Sequence, residues 1–184
     1  MDSRKDELIE SLVAYLLENG LADLSLRPLA AGTGTSARLL IYHFGSKEGL
    51  LGEVLEAMQA RVRASFADLS GKPSAGRQPK PPLKLFWHWA IAEENYPYLK
   101  LLYELQILAI QNPATYARYL QRNNTNWLDV ALAALSPSKR TTAMATLCTA
   151  VFDGLFIELM SSGDRRRTTQ ALDRFIQLAS EASP

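Results

Sequence analysis

Apolar positions recur with a helical period along nearly the whole chain. Leu8, Ile9, Leu12, Val13, Leu16 and Leu17 fall at i, i+1, i+4, i+5, i+8 and i+9 and form one broad stripe. Gly20 stands where a left-handed residue ends such a helix, so the spacing predicts a first helix over 4–19. Ser25 is placed to cap a second helix starting at Leu26, although Pro28 in its first turn removes an N–H that the cap would bind. Gly32 and Gly34 break that helix. Ser36 caps a third over 37–42, Gly45 ends it, and Ser46 caps a fourth that runs to about 68. Residues 70–82 hold four prolines and two glycines and read as a linker. Beyond them helices are predicted over 83–94, 97–111, 114–135, 137–162 and 168–181. Ser136 followed by Pro137 is a start signal for the fourth of these, a cap with proline at N1. No stretch alternates with period two, so the expected fold is all-α.

Composition narrows what such a fold does. The 184 residues are 47% hydrophobic and 21% charged, enough apolar surface for a packed core. Twenty Lys and Arg against nineteen Asp and Glu leave +1, which excludes a polybasic coat; any contact to nucleic acid must come from a local patch. The single Cys148 excludes a disulfide framework and a cysteine-rich zinc site, and it reads as a buried small hydrophobe. With His43 and His88 as the only histidines, no metal spacing appears, nor a Ser/His/Asp or Cys/His set, nor a phosphate-cradling glycine loop. The chain is therefore expected to be neither an enzyme nor a cofactor carrier, with no catalytic or metal residues. The longest unbroken apolar run, residues 130–135, is far short of the roughly 20 residues of a spanning helix. The charged start lacks the features of an export signal. No membrane partner and a cytoplasmic location are expected.

Three short helices within about 40 residues, with a glycine in the middle turn, suggest a helix-turn-helix. Its second helix must be short enough to enter a major groove about 12 Å wide, must offer small or polar side chains near its start, and must dock its inner side on the preceding helix. The segment from Ser36 to Tyr42 meets these demands, with Leu40 and Phe44 turned inward and Leu26 and Leu29 in the core. The run Leu-Ser-Leu-Arg-Pro-Leu-Ala at 24–30, Gly34, Thr35 and Ser36, and the run Tyr-His-Phe-Gly-Ser-Lys-Glu at 42–48 together resemble, without a gap, the DNA-binding domain of the TetR family of transcriptional regulators.

That resemblance, which covers roughly the first 55 residues, implies an N-terminal three-helix helix-turn-helix DNA-binding domain over 1–50. A C-terminal helical ligand-binding and dimerisation domain would follow over 51–184. It implies that Ala37, Arg38, Leu39 and Tyr42 face the groove, Arg38 being the one side chain able to make a bidentate contact to guanine. Arg27, Ser36, Tyr42, His43 and Lys47 would hold phosphates of a double-stranded DNA operator. Leu39 and Ile41 depart from the residues the family often carries there. With only Arg27, Arg38 and Lys47 as basic side chains over 20–50, one such domain binds weakly, which points to a dimer on a pseudo-palindrome.

The rest of the chain is legible more coarsely. The helix over 137–162 is apolar on two sides. Leu147, Val151, Gly154, Leu155 and Glu158 share one face, which a second copy of the chain would cover. The last helix adds Leu172, Phe175, Ile176 and Ala179 at i, i+3, i+4 and i+7 to a four-helix homodimer interface. Aromatic residues concentrate between 86 and 127. They read either as core or, as the resemblance implies, as walls of a cavity for an apolar or aromatic small-molecule effector. Trp87, His88, Tyr103, Glu104, Asn123, Trp127, Phe152 and Asp153 are the candidate lining. Asp153 lies in a strongly apolar stretch and needs a partner. Arg165, Arg166 and Arg167 read as a solvated turn that complements the dipole of the preceding helix. The function expected is a ligand-responsive repressor in which a ligand behind helix four alters the spacing of the two reading heads. The alternative is a helical small-molecule-binding or adaptor protein without DNA binding.

Overall fold

The computed structural model describes residues 3–21, 24–71 and 81–181, and their side chains except at 3, 70, 71, 122–126 and 181. Among these residues every regular element is helical. They are α1 (Ser3–Asn19), α2 (Leu26–Gly32), α3 (Ala37–Phe44), α4 (Lys47–Gly71), α5 (Pro82–Ala90), α6 (Tyr96–Gln111), α7 (Ala117–Ala134), α8 (Thr142–Ser162) and α9 (Arg165–Glu181), with one 3₁₀ turn at Pro137–Lys139. The chain divides into two compact units, one of residues 1–62 and 97–122, the other of 63–96 and 123–184. Packing thus groups α6 and the start of α7 with the N-terminal helices, a division that differs from a cut at residue 50.

The first unit is built on leucine stripes. In α1, Leu8, Leu12, Val13 and Leu16 are buried, whereas Leu17 is exposed, so the apolar stripe is narrower than its spacing predicts. In α4, Leu50, Leu51, Val54, Leu55, Met58 and Val62 are buried at helical spacing. A buried polar side chain interrupts this core: Gln59 of α4 donates to Tyr119 Oη at 3.1 Å and to Gln106 Oε1 at 3.2 Å. Burying an amide is tolerated because its hydrogen bonds are met there, which ties α4 to α6 and α7.

In the second unit α8 packs against α5 and α9. Phe86 and Phe152 ring centroids lie 4.7 Å apart, Trp87 meets Phe152 at 5.8 Å and Phe156 at 6.4 Å, and Trp127 reaches Phe86 at 5.9 Å. The fully buried Trp87 donates its indole N–H to Thr169 of α9 at 2.9 Å. Lys84 pairs with Asp173 at 2.6 Å.

Several boundaries differ from the sequence reading. Residues 70 and 71 continue α4 and Pro82 opens α5 at N1, so both ends of the proline-rich stretch are helical, and residues 72–80 lie outside the described residues. Ser136 and Pro137 start a single 3₁₀ turn rather than α8. The start of α8 is Thr141, whose hydroxyl accepts from Met144 N at 3.2 Å. Asp164 caps α9 by accepting from Arg167 N at 2.9 Å, which draws the three arginines into the first turn of that helix instead of a solvated turn. There Arg165 donates to the Ile91 carbonyl at 2.8 Å and lies over the Tyr96 ring, and Arg167 pairs with Glu158. Cys148 is half-buried rather than buried, and that burial pushes its thiol up, away from a reactive thiolate.

Candidate nucleic-acid interface

The geometry of the head follows from caps and close approaches. Ser36 sits extended at the N-cap of α3 and accepts from Leu39 N at 3.2 Å. Ser25 holds the same place before α2 but makes no side-chain cap bond, because the residue at N3 is Pro28, which has no N–H to give. Replacing Ser36 by alanine is therefore expected to lower the unfolding free energy by about 1 kcal/mol, whereas Ser25→Ala changes it by a few tenths; urea titrations of the two variants compare them directly. Gly45, at φ +76°, turns the chain out of α3, two residues later than predicted. A Cβ on Gly49 would fall 2.2 Å from the Phe44 carbonyl oxygen, and one on Gly32 would fall 2.2 Å from the Tyr15 ring. Glycine at these positions lets α4 close on the end of α3 and α2 close on α1.

The inner side of α3 is sealed by Leu40, fully buried, and Phe44, over which the Lys5 ammonium lies at 5.4 Å. Its outer side is free. Ser36, Arg38, Ile41 and Tyr42 are exposed, Tyr42 to 80%, and Ala37, Leu39 and His43 are partly exposed. Arg38 forms no ion pair with the described residues. The Tyr42 and His43 rings meet edge-on at 5.2 Å. Arg27 is exposed on α2. Lys47 is less free than its position suggests: its Nζ donates to the Leu24 carbonyl at 3.3 Å. Ile41, at 40% exposure, departs from the family's usual residue and is not among the residues that the resemblance places in the groove. Its i+3 spacing from Arg38 was the available signal.

The other candidate residues are not one constellation. Trp87, Trp127 and Phe152 meet around Phe86 in the second unit. His88 is exposed, on the side of α5 away from that cluster, so it does not line an interior. Tyr103 and Glu104 belong to the first unit, where Glu104 pairs with Lys100 at 3.9 Å. The side chain of Asn123 lies outside the described residues. Asp153 is half-buried and is not without a partner. On α8 and α9, Leu147 and Gly154 are exposed, and Val151, Leu155, Phe175, Ile176 and Ala179 are partly exposed. Glu158 is also exposed but is already paired within its own chain. Leu172, fully buried, belongs to the core of its own chain rather than to an outer face, since it is the turn of α9 that packs inward.

These features define a helical protein with an N-terminal helix-turn-helix head whose second helix is capped, docked and open on one side. Residues 5–54 match the family described as bacterial regulatory proteins, tetR family. Over 69 residues the chain is 33% identical to the HTH-type transcriptional repressor KstR2 of Mycobacterium tuberculosis, a match covering 38% of this chain and 34% of that one, about a third of the relative's length. Along nearly its whole length the chain has the fold of a TetR-family transcriptional regulator from Rhodococcus sp. (TM-score 0.71, 22% identity, 94% of this chain and 98% of that one). It also has the fold of the multidrug binding protein EbrR complexed with imidazole (TM-score 0.68, 22% identity, 95% and 90%). Residues 5–54 thus carry a DNA-binding domain of the TetR type, and the chain as a whole has the fold of these solved structures.

Proposed function

We propose that this chain is a cytoplasmic, ligand-responsive repressor that binds a pseudo-palindromic operator as a homodimer, with residues 1–50 as reading head and 51–184 as ligand-binding and dimerisation region. The observation that carries the DNA reading is the exposed stripe of α3, where Arg38 and Tyr42 project from a capped helix whose opposite side is sealed by Leu40 and Phe44. In this reading Arg38 takes guanine O6 and N7, and Ala37 and Leu39 make apolar contact with neighbouring bases. Arg27, Ser36, Tyr42, His43 and Lys47 hold phosphates and set register. The repressor sign follows KstR2, which is a transcriptional repressor.

The dimer reading is supported by α8. It is long and apolar enough to cross a bilayer, with a mean hydropathy of 1.6, a property that a count of unbroken apolar runs overlooks. Only 22% of its most apolar stretch is buried within the chain, while Phe152, Phe156 and Leu159 pack inward. A second copy laid against Leu147, Val151, Gly154 and Leu155, flanked by the exposed Leu178 of α9, removes the remaining apolar surface from water. An apolar or aromatic effector among Trp127, Phe152 and Asp153 is supported by the ring cluster there and by EbrR, a multidrug binding protein whose crystals hold imidazole or ethidium. The effector acts by preferring one spacing of the two heads, a shift of populations that requires differential affinity.

Selection of bound duplexes from a random pool tests this as a whole. The expected product is a two-fold symmetric site with half-sites one helical turn apart, or a multiple of it. Failure to enrich any sequence at low salt sinks the DNA reading and leaves the adaptor alternative.

A further inference from the structure

The first unit holds a cleft that the reading above does not use. About 400 Å³ in volume, it lies between the start of α4, the loop before α2, and the turn joining α6 to α7. That is within the roughly 300–1,000 Å³ of small-molecule sites. Its apolar wall is four leucines: Leu21, Leu24, Leu51 and Leu108. Its polar side, among the described residues, carries one cation and two hydroxyl groups. Lys47 brings an ammonium that spends one N–H on the Leu24 carbonyl at 3.3 Å and has two left. Thr115 brings a hydroxyl at the exposed rim. Tyr116, which packs over Gly52 of α4, brings a phenol that burial and the Glu48 carboxylate both push up, so it stands ready to donate. Asn112 has turned its amide onto the Leu108 carbonyl at 2.9 Å. Among the described residues Glu48 is the one carboxylate of the lining.

Three donors around an apolar wall suit one kind of guest. We propose that this cleft binds a small apolar carboxylate, its chain on the leucines and its carboxylate on Lys47, Thr115 and Tyr116, and that the bound acid withholds Lys47 from DNA. The second half rests on the operator-binding reading; the binding itself does not. The lining lies wholly within the first unit and shares no residue with the aromatic cluster around Phe86. A carboxylate at Lys47 completes the ammonium's hydrogen bonds and takes up the charge that a phosphate would otherwise take. Glu48 opposes such a guest, which sets a further expectation: removing its charge tightens binding.

The test is calorimetric titration of the full chain with octanoate, octylamine and octanol, which share a chain length and differ in head group. Octanoate is expected to bind saturably and at least tenfold more tightly than either of the others. Thr115→Trp, a substitution at an exposed position that fills the cleft from its rim, and Lys47→Met are each expected to weaken octanoate at least tenfold. Glu48→Gln is expected to strengthen it roughly two- to fivefold, the Coulomb effect of one partly exposed charge. Thermal melts confirm that each variant is folded. Octylamine binding as tightly as octanoate, or octanoate binding that ignores Thr115→Trp, overturns the site. With operator DNA, saturating octanoate is expected to lower the slope of log K against log salt by about one per subunit. An unchanged slope overturns the withholding of Lys47. A chain that binds octanoate in the expected variant pattern but binds no DNA upholds the site and refutes the operator reading instead.

Discussion

Gly154→Arg is expected to turn the protein into a folded monomer. The glycine is exposed in the middle of α8, and a Cβ added there meets nothing within 4 Å of its own chain. Within one chain the substitution is therefore free of clash, and it removes a helix-interior glycine, a gain of about 1 kcal/mol in intrinsic propensity. Between chains the effect reverses. A glycine at the centre of a helix–helix contact allows close approach of backbones, and an arginine on each side of the two-fold axis fills that space twice and sets like charges together. Sedimentation equilibrium should give the mass of one chain where the parent gives two. The melting temperature of the parent should rise with protein concentration and that of the variant should not, since only the parent is stabilised by mass action. Operator affinity should fall roughly a hundredfold or more, because two heads joined in one particle bind with the advantage of high effective concentration. A variant that stays dimeric would place the interface elsewhere than on α8.

Much of this fold was legible because its signals are local. Glycine after a leucine stripe, serine before one, and the spacing of apolar positions fix α1, α3 and α4 nearly to the residue: Gly20 and Gly45 both adopt positive φ, and Ser36 does cap α3. Errors arose where two local signals competed. Ser136 with Pro137 and Thr141 five residues later are both start signals. The proline sequence made a 3₁₀ turn, and the threonine, with three good N–H partners after it, began the long helix. The charge of the three arginines fits a solvated turn, but the carboxylate of Asp164 just before them caps α9 and places them in its first turn.

The site was legible for the same reason and to the same depth. The head is contiguous in sequence, so the alternation of buried Leu40 and Phe44 with exposed Arg38 and Tyr42 follows from a helical wheel. Lys47 shows the limit. Its place in the first turn of α4 was clear, but its hydrogen bond to the carbonyl of Leu24, 23 residues earlier, is tertiary. The cleft and the Gln59, Gln106 and Tyr119 cluster depend on residues 13 to 95 positions apart, and nothing in a local pattern announces them. The ligand candidates scattered for a similar reason. Aromatic density along the chain does not reveal which helix turns each ring inward, and it treated exposed His88 like buried Trp87.

Arg38→Ala is expected to change what the protein reads rather than whether it holds DNA. The guanidinium is exposed at the second position of α3 and makes no ion pair with the described residues, so truncating it disturbs neither the cap at Ser36 nor the packing of Leu40. If it reads guanine through paired N–H donors, its loss removes roughly 1–3 kcal/mol of discrimination in each half-site. The half-sites are far enough apart to add, which gives roughly 2–6 kcal/mol between the preferred operator and its doubly substituted form. In a duplex selection the guanine preference should flatten at one symmetric pair of positions while the rest of the site is retained. Arg27→Ala is the contrasting variant: if this exposed cation on α2 holds a phosphate, its loss should weaken every sequence alike and lower the salt slope by about two per dimer. The contrast matters more than either value, since two cations in one small head can be told apart only by whether their loss depends on base sequence or on salt. Equal losses for both variants on all sequences would mean that α3 lies on the backbone and that the bases are read by some other part of the head.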